Sequence, residues 1–157
     1  MSLVNKLNQV RAKLVSRIAT RLGTDINNVI IGPRTNVDQF KKLPLIWVIA
    51  EDATINDEGL ALHEQWDLYF WLIAVLRVSN QDHESAKTLA ENLSVKASGS
   101  LLVDPISGKQ NRTLDGLVDD ITRVGWSAAD SRIIDIDDLL YGAGVRVKIR
   151  LTNMEVD

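Results

Sequence analysis

The chain contains no cysteine and only two histidines in its 157 residues. The absence of cysteine excludes a disulfide framework, a cysteine nucleophile and every thiolate metal site. No leader with a basic start, an apolar centre and a small-residue cleavage site opens the sequence, so we expect no export. With 45% hydrophobic and 25% charged residues, the composition is that of an ordinary globular chain, which excludes a disordered tail, a collagen-like fibre and a membrane span. The length corresponds to one domain with a core of its own.

The two histidines do not fit a metal site. His63 and Glu64 begin like the zinc-binding helix motif, but the position that requires a second histidine is Asp67. His83 lies twenty residues beyond His63, and surface histidines are more common than such distant ligand pairs. The aspartates within 135–138 lack the glycine turn and the closing glutamate of a calcium loop. We therefore expect no metal ion and interpret these carboxylates as a solvated acidic edge.

Enzyme motifs are missing as well. No Gly-x-Ser-x-Gly nucleophile elbow occurs anywhere in the sequence. The segment Gly142–Gly144 begins like a dinucleotide-binding pattern, but it precedes a strand instead of opening a helix. We expect no catalytic residues and no cofactor. A small hydrolase that uses His63 and His83 is the alternative, and replacing both with glutamine tests it.

The sequence has an uneven distribution of charge. Residues 1–42 carry eight basic and two acidic side chains, a net charge of +6. Because the whole chain carries −3, the remainder carries −9. Such asymmetry can mark contact with nucleic acid, a molecule whose opposite ends meet in a ring, or solvated faces that balance within one fold.

Two segments have the spacing of amphipathic helices. Leu3–Leu22 repeats apolar residues every three or four positions, with Ser2 as N-cap and Gly23 as the C-terminal stop. Basic amphipathic helices can bind membrane surfaces, but this apolar face has no tryptophan or phenylalanine. We therefore expect it to pack on a sheet and expect no membrane partner. Asp82–Leu101 is the second predicted helix.

Three segments predict the main strands. Leu45–Ala50 is a short apolar run, Val145–Leu151 alternates apolar with basic residues, and Trp66–Ser79 is apolar on both faces. Because both of its faces are apolar, the strand Trp66–Ser79 must be covered by helices on one face and by a second layer or another subunit on the other. The connection from Glu51 to Gln65 is too short for a covered crossover, so we expect antiparallel pairing.

Weaker signals complete the predicted fold. Asn28–Ile31 is a short apolar run, Thr113–Val124 predicts a helical turn running into a strand, and Tyr141–Gly144 predicts a break. Ile134 and Ile136 alternate with aspartates and predict an edge or arm. The predicted class is α+β, an antiparallel sheet of mixed strand order with a long N-terminal helix and a second helix packed on one face.

The strand pattern also supplies candidate interaction residues. Trp71 suits either the core or a subunit interface. The basic row Arg146–Arg150 either binds nucleic acid or pairs with acidic neighbours. No aromatic residue interleaves with it to stack on bases, and we favour pairing because the chain as a whole is acidic. The candidate subunit interface comprises Tyr69, Trp71, Ile73, Arg77, Arg146, Lys148 and Arg150. The candidate partner-docking loop comprises Glu51, Asp52, Asp57 and Glu58.

The order of these elements resembles the tail terminator (tail completion) proteins of lambda-like tailed phages and the related tail-to-head joining proteins. The resemblance covers most of the chain and lies in the order of the elements and in their general residue pattern. Its matching features are the basic helix Leu3–Leu22, the strand Leu45–Ala50, the strand Trp66–Ser79 that leads into helix Asp82–Leu101, the segment Thr113–Val118 and the last strand Val145–Leu151.

This resemblance implies a homohexameric ring that performs no chemistry at the head-proximal end of a tail tube. The implied partners are further copies of the chain, the tail tube protein and a neck or head-completion protein, while genomic DNA passes through the lumen without specific binding. The implied location is the virion tail or neck, after assembly in the host cytoplasm. The implied organisation is a single domain 1–157 with insertions or arms at 32–42, 104–111 and 128–140. The alternatives are another head–tail joining or stopper protein and a nucleic-acid-binding module.

Overall fold

The computed structural model of the chain describes residues 2–32, 42–56, 64–77, 83–130 and 140–153. Helix α1 spans Leu3–Leu22, as predicted. The Ser2 hydroxyl caps its start by accepting a hydrogen bond from the Asn5 backbone N–H, and Gly23 ends it with a φ of 51°. Helix α2 spans His83–Gly99, within the predicted range. Neither helix is long and apolar enough to cross a membrane, in the part of the chain that is described.

The described strands form one six-stranded sheet. Its path is β1-β2-β4-β6-β5, and β3 pairs with β4 beyond the end of β2. The pair β1–β2 is parallel and every other pair is antiparallel, so the α+β prediction is confirmed with one parallel pair added. The strand bounds are β1 Asn28–Ile31, β2 Leu45–Ala50, β3 Thr54–Asn56, β4 Glu64–Arg77, β5 Asp120–Asp130 and β6 Leu140–Asn153.

Three local predictions need correction. Tyr141–Gly144 is not a break, because it pairs with β4 as the start of β6. The predicted docking loop that begins at Glu51 contains β3, which pairs with the start of β4. The helical turn predicted after Thr113 is a left-handed turn instead, although the strand predicted to follow it is present as β5. The predicted arm around Ile134 and Ile136 lies outside the described residues.

Both faces of the sheet are apolar at its centre, as the two-sided pattern of β4 predicts. Helices α1 and α2 cover one face, where Leu14 of α1 and Leu93 of α2 belong to the same buried cluster as Leu72 of β4. The opposite face carries a second, smaller cluster formed by Leu45, Trp47, Ile73 and Val75, all of them buried. Ile73 is therefore already withdrawn from solvent within one chain.

Candidate interaction face

The pairing of β4 with β6 brings most of the predicted interface residues together. Alternate residues of a strand share a face, and the cross-strand partners on the face opposite the helices are Asp67 with Arg150, Tyr69 with Lys148, Trp71 with Arg146 and Ile73 with Gly144. Arg77 lies apart from them at the far end of β4, where it pairs with Leu140. We call this surface of β4 and β6, from Asp67 to Ile73 and from Gly144 to Arg150, the interaction face.

Two glycines, Gly144 on β6 and Gly125 on β5, leave the space that the Trp71 indole occupies, and we call them the glycine seat. A Cβ added to Gly144 would lie 3.1 Å from Cε3 of Trp71 and 3.3 Å from Cγ1 of Ile73. A Cβ added to Gly125 on β5 would lie 3.9 Å from Cη2 of the same indole. The ring therefore extends from β4 across β6 to β5. It borders an apolar cavity of about 230 Å³, which Ile73, Ser127 and Gly144 also line.

Glu51, at the end of β2, holds this indole in place. The Trp71 Nε1–H donates to Glu51 Oε1 at 2.7 Å. Arg146 Nε donates to Glu51 Oε2 at 2.8 Å, and Arg146 Nη2 lies 2.8 Å from the same oxygen in an ion pair. The Arg146 guanidinium also lies over the Tyr69 ring, 4.4 Å from its centroid. Cation–π contacts of this kind contribute about 0.5–1 kcal/mol at exposed sites. The result is an ordered patch with an aromatic residue at its centre.

The acidic residues of the predicted docking loop therefore differ in their surroundings. Glu51 is tied to the interaction face, whereas Asp52 next to it is exposed. Asp57 and Glu58 lie outside the described residues. The sequence pattern grouped these acids by proximity along the chain, but the contacts of Glu51 depend on strand pairing that no local pattern reveals.

Two of the three cations in the basic row have carboxylate partners within the chain. Arg146 pairs with Glu51, and Arg150 Nε lies 3.1 Å from Asp67 Oδ1. The hydrogen bond to Asp67 and its negative charge raise the pKa of Arg150. Lys148 makes no ion pair with any described residue. This arrangement favours the interpretation that the row pairs with acidic neighbours.

The basic residues of α1 are also engaged inside the chain. Lys13 and Arg17 both pair with Asp115, at 3.0 and 3.1 Å, and the nearly buried Arg17 donates to the Asn111 carbonyl as well. Hydrogen bonds from Lys13 and Asn111 lower the pKa of Asp115. Lys6 donates to the Thr152 carbonyl on β6. Part of the positive charge of the first 42 residues is therefore balanced within one fold.

The turn that receives these α1 contacts has an unusual backbone. Leu114, Asp115 and Gly116 all have positive φ, at 49°, 60° and 86°. The Asn111 side chain holds the turn by accepting from the Asp115 backbone N–H and donating to the Asp115 carboxylate. Between this turn and α1 lies an open cavity of about 630 Å³. The sequence analysis missed this cavity, and Asp115-Gly116 was the local signal of a turn.

The described residues contain no constellation that resembles a catalytic or metal site. His83 Nδ1 lies 2.9 Å from the Tyr141 hydroxyl on β6, and His63 and Asp135–Asp138 are outside the described ranges. No cluster of three potential metal ligands occurs within those ranges. A comparison with protein-family models gave no match, and neither did a comparison with curated protein sequences. The interaction face is therefore the site on which a function can be argued.

Proposed function

We propose that this chain is a structural protein of a phage tail or neck, which performs no chemistry and forms a ring that ends the tail tube and offers a docking face to the head. The observation that carries the proposal is element order. A long basic helix opens the chain, β2 follows, the 14-residue β4 leads toward α2, and the 14-residue β6 comes last. This is the order on which the resemblance to tail terminators rests.

The interaction face adds a physical argument for assembly. Trp71 is half-buried within one chain and is held by Glu51 and by its glycine seat. Tryptophan is enriched at the centres of protein interfaces, and an indole ordered before binding loses little conformational entropy there. The partners that fit this proposal are further copies of the chain, the tail tube protein and a head-completion protein.

The charge of the chain fits a ring through which DNA passes. A lumen for DNA transit must avoid tight binding to phosphates, and a net charge of −3 disfavours such binding. Arg146 and Arg150 are neutralised by Glu51 and Asp67, which weakens the case for a nucleic-acid-binding module. Virion location and assembly in the host cytoplasm follow from the same proposal.

The mass of the protein in solution tests the ring. We expect light scattering behind a sizing column to give six times 17.5 kDa. We expect this mass to persist between about 0.1 M and about 1 M salt, over which the Debye length falls from about 10 Å to about 3 Å. The reason is that many charges of α1 and of the interaction face are already paired within the chain.

A monomer at high protein concentration would contradict the ring. Salt-dependent DNA binding by that monomer, weakened by Arg146→Ala and Arg150→Ala, would indicate the nucleic-acid-binding module instead. A hexamer located by electron microscopy at the portal side of a particle, away from the tube end, would indicate a stopper protein.

Truncating Trp71 tests whether the interaction face takes part in assembly. We expect Trp71→Ala to weaken the ring more than it weakens the fold, because the indole is half-buried in the single chain. Sizing measures the first effect and thermal unfolding the second. The matched control is Trp47→Ala on β2, on the same side of the sheet but outside the interaction face, where burial of the indole makes folding stability the main loss. A Trp71→Ala protein that remains hexameric with unchanged thermal stability would refute the prediction.

A further inference from the structure

One row of apolar side chains runs across five strands and is exposed at both ends. Val48, Leu72 and Val145 form its buried centre on β2, β4 and β6, beneath the helices. Ile31 pairs with Val48 on β1, and Trp126 pairs with Val145 on β5. These end residues are 40% and 56% exposed. Because cross-strand partners share a face, both point to the helix side of the sheet.

The two ends of this row are the two lateral edges of the sheet. β1 and β5 are the terminal strands of the path, and no described residue pairs with their outer sides. An edge strand offers a line of backbone N–H and C=O groups to another strand, and natural monomers usually avoid apolar residues there. An exposed tryptophan on one edge and an exposed isoleucine on the other therefore indicate that both edges are covered in the assembled state.

Trp126 is held beside α2 by contacts on either side of it along β5. Arg123 Nε donates to the Ser98 hydroxyl at 2.7 Å, and the Ala129 backbone N–H donates to Glu91 Oε1 at 3.1 Å. Both partners belong to α2, so this stretch of β5 is fixed against the helix. The edge that carries Trp126 is thus ordered before any partner arrives.

The strand directions make the two edges compatible. β5 is antiparallel to β6, which is antiparallel to β4, so β5 runs in the direction of β4. β1 is parallel to β2, which is antiparallel to β4, so β1 runs against β4. In a ring whose strands follow the symmetry axis, every copy has the same strand direction. The β5 edge of one copy then meets the β1 edge of the next as an antiparallel pair.

We propose that this edge-to-edge contact is one of the contacts that build the ring, with Trp126 of one copy beside Ile31 of the next. The proposal rests on the ring of the proposed function. A second copy is the occupant because one chain presents both halves of the contact, at the same level of the sheet and on the same face. The contact joins two different patches, which is the heterologous kind that closes a ring by rotation.

Cysteine pairing tests the contact, since the chain has no cysteine of its own. The double variant Ile31→Cys with Trp126→Cys places thiols on both edges, and directly opposed residues have Cβ atoms about 4.5–5.5 Å apart. We expect oxidation, or a short thiol-reactive cross-linker, to give a ladder that ends at six chains on a non-reducing gel. Each single variant is the control and should remain uncross-linked. A matching circular dichroism spectrum establishes that each variant is folded.

The outcomes separate this contact from the proposed function. A hexamer by light scattering whose double variant does not cross-link overturns the edge contact and leaves the ring. A ladder that continues past six chains supports the edge contact and contradicts a closed hexamer. A dimer formed by Trp126→Cys alone shows that two β5 edges meet, which overturns the proposal. A monomer that does not cross-link overturns both.

Placing a charged residue on either edge tests the contact independently of cross-linking. We expect Ile31→Arg and Trp126→Arg each to reduce the ring to smaller species, because an arginine would face the apolar end of the row on the next copy. The matched control is Ile106→Arg, which charges an isoleucine that is 86% exposed and lies outside the row. Rings that survive both edge variants would contradict the contact.

Discussion

Replacing Leu72 with alanine is expected to lower the free energy of unfolding by about 2–5 kcal/mol. Leu72 is fully buried at the centre of β4, between Val48 and Val145, and lies under the helices. Removing its branched end leaves a cavity that strands paired on both sides cannot close. The melting temperature of a chain of this size should fall by roughly 2–4 °C for each kcal/mol lost.

Urea denaturation at one fixed protein concentration measures this loss, because assembly makes apparent stability depend on concentration. The matched control is Leu89→Ala on α2, where the side chain is about half exposed and a change within about 0.5 kcal/mol is expected. Equal losses for the two variants would show that Leu72 does not occupy the packed centre of the sheet.

The elements that the sequence predicted well are those determined by local periodicity. The limits of α1 follow from an apolar stripe and from caps at Ser2 and Gly23, all of which lie in the helix or directly next to it. The two apolar faces of β4 predicted burial on both sides, and a cluster of buried residues lies on each side. These signals lie within one element, so pairing partners are not needed to interpret them.

The features that the sequence did not predict depend on register. The small residues of Tyr141–Gly144 suggested a break, yet Gly144 is small because the indole of Trp71 lies over it. The bonds of Glu51 to Trp71 and Arg146 join three strands that are distant along the chain. Trp126 ends an apolar row only because of four successive strand pairings. A shift of one residue between β5 and β6 would move Trp126 to the other face, and a shift between β1 and β2 would move Ile31.

Replacing Gly144 with valine is expected to displace the Trp71 indole and to destabilise the fold by about 1–3 kcal/mol. The Cβ alone would lie 3.1 Å from the indole and 3.3 Å from Ile73, and the two methyl groups need further space. The displaced ring loses its hydrogen bond to Glu51, which removes one of the contacts that orient this carboxylate toward Arg146. Urea denaturation measures the stability, and indole fluorescence reports the change around Trp71.

The double variant Gly144→Val with Trp71→Ala distinguishes this steric cause from a general effect of valine on β6. Without the indole, the valine side chain has room over β6, and its branched form suits a strand. We therefore expect the double variant to lose less stability than the sum of the two single variants, with a coupling of about 0.5–3 kcal/mol. Additive losses would show that the glycine is not needed to seat the indole. They would also remove the argument that the interaction face orders Trp71 before assembly.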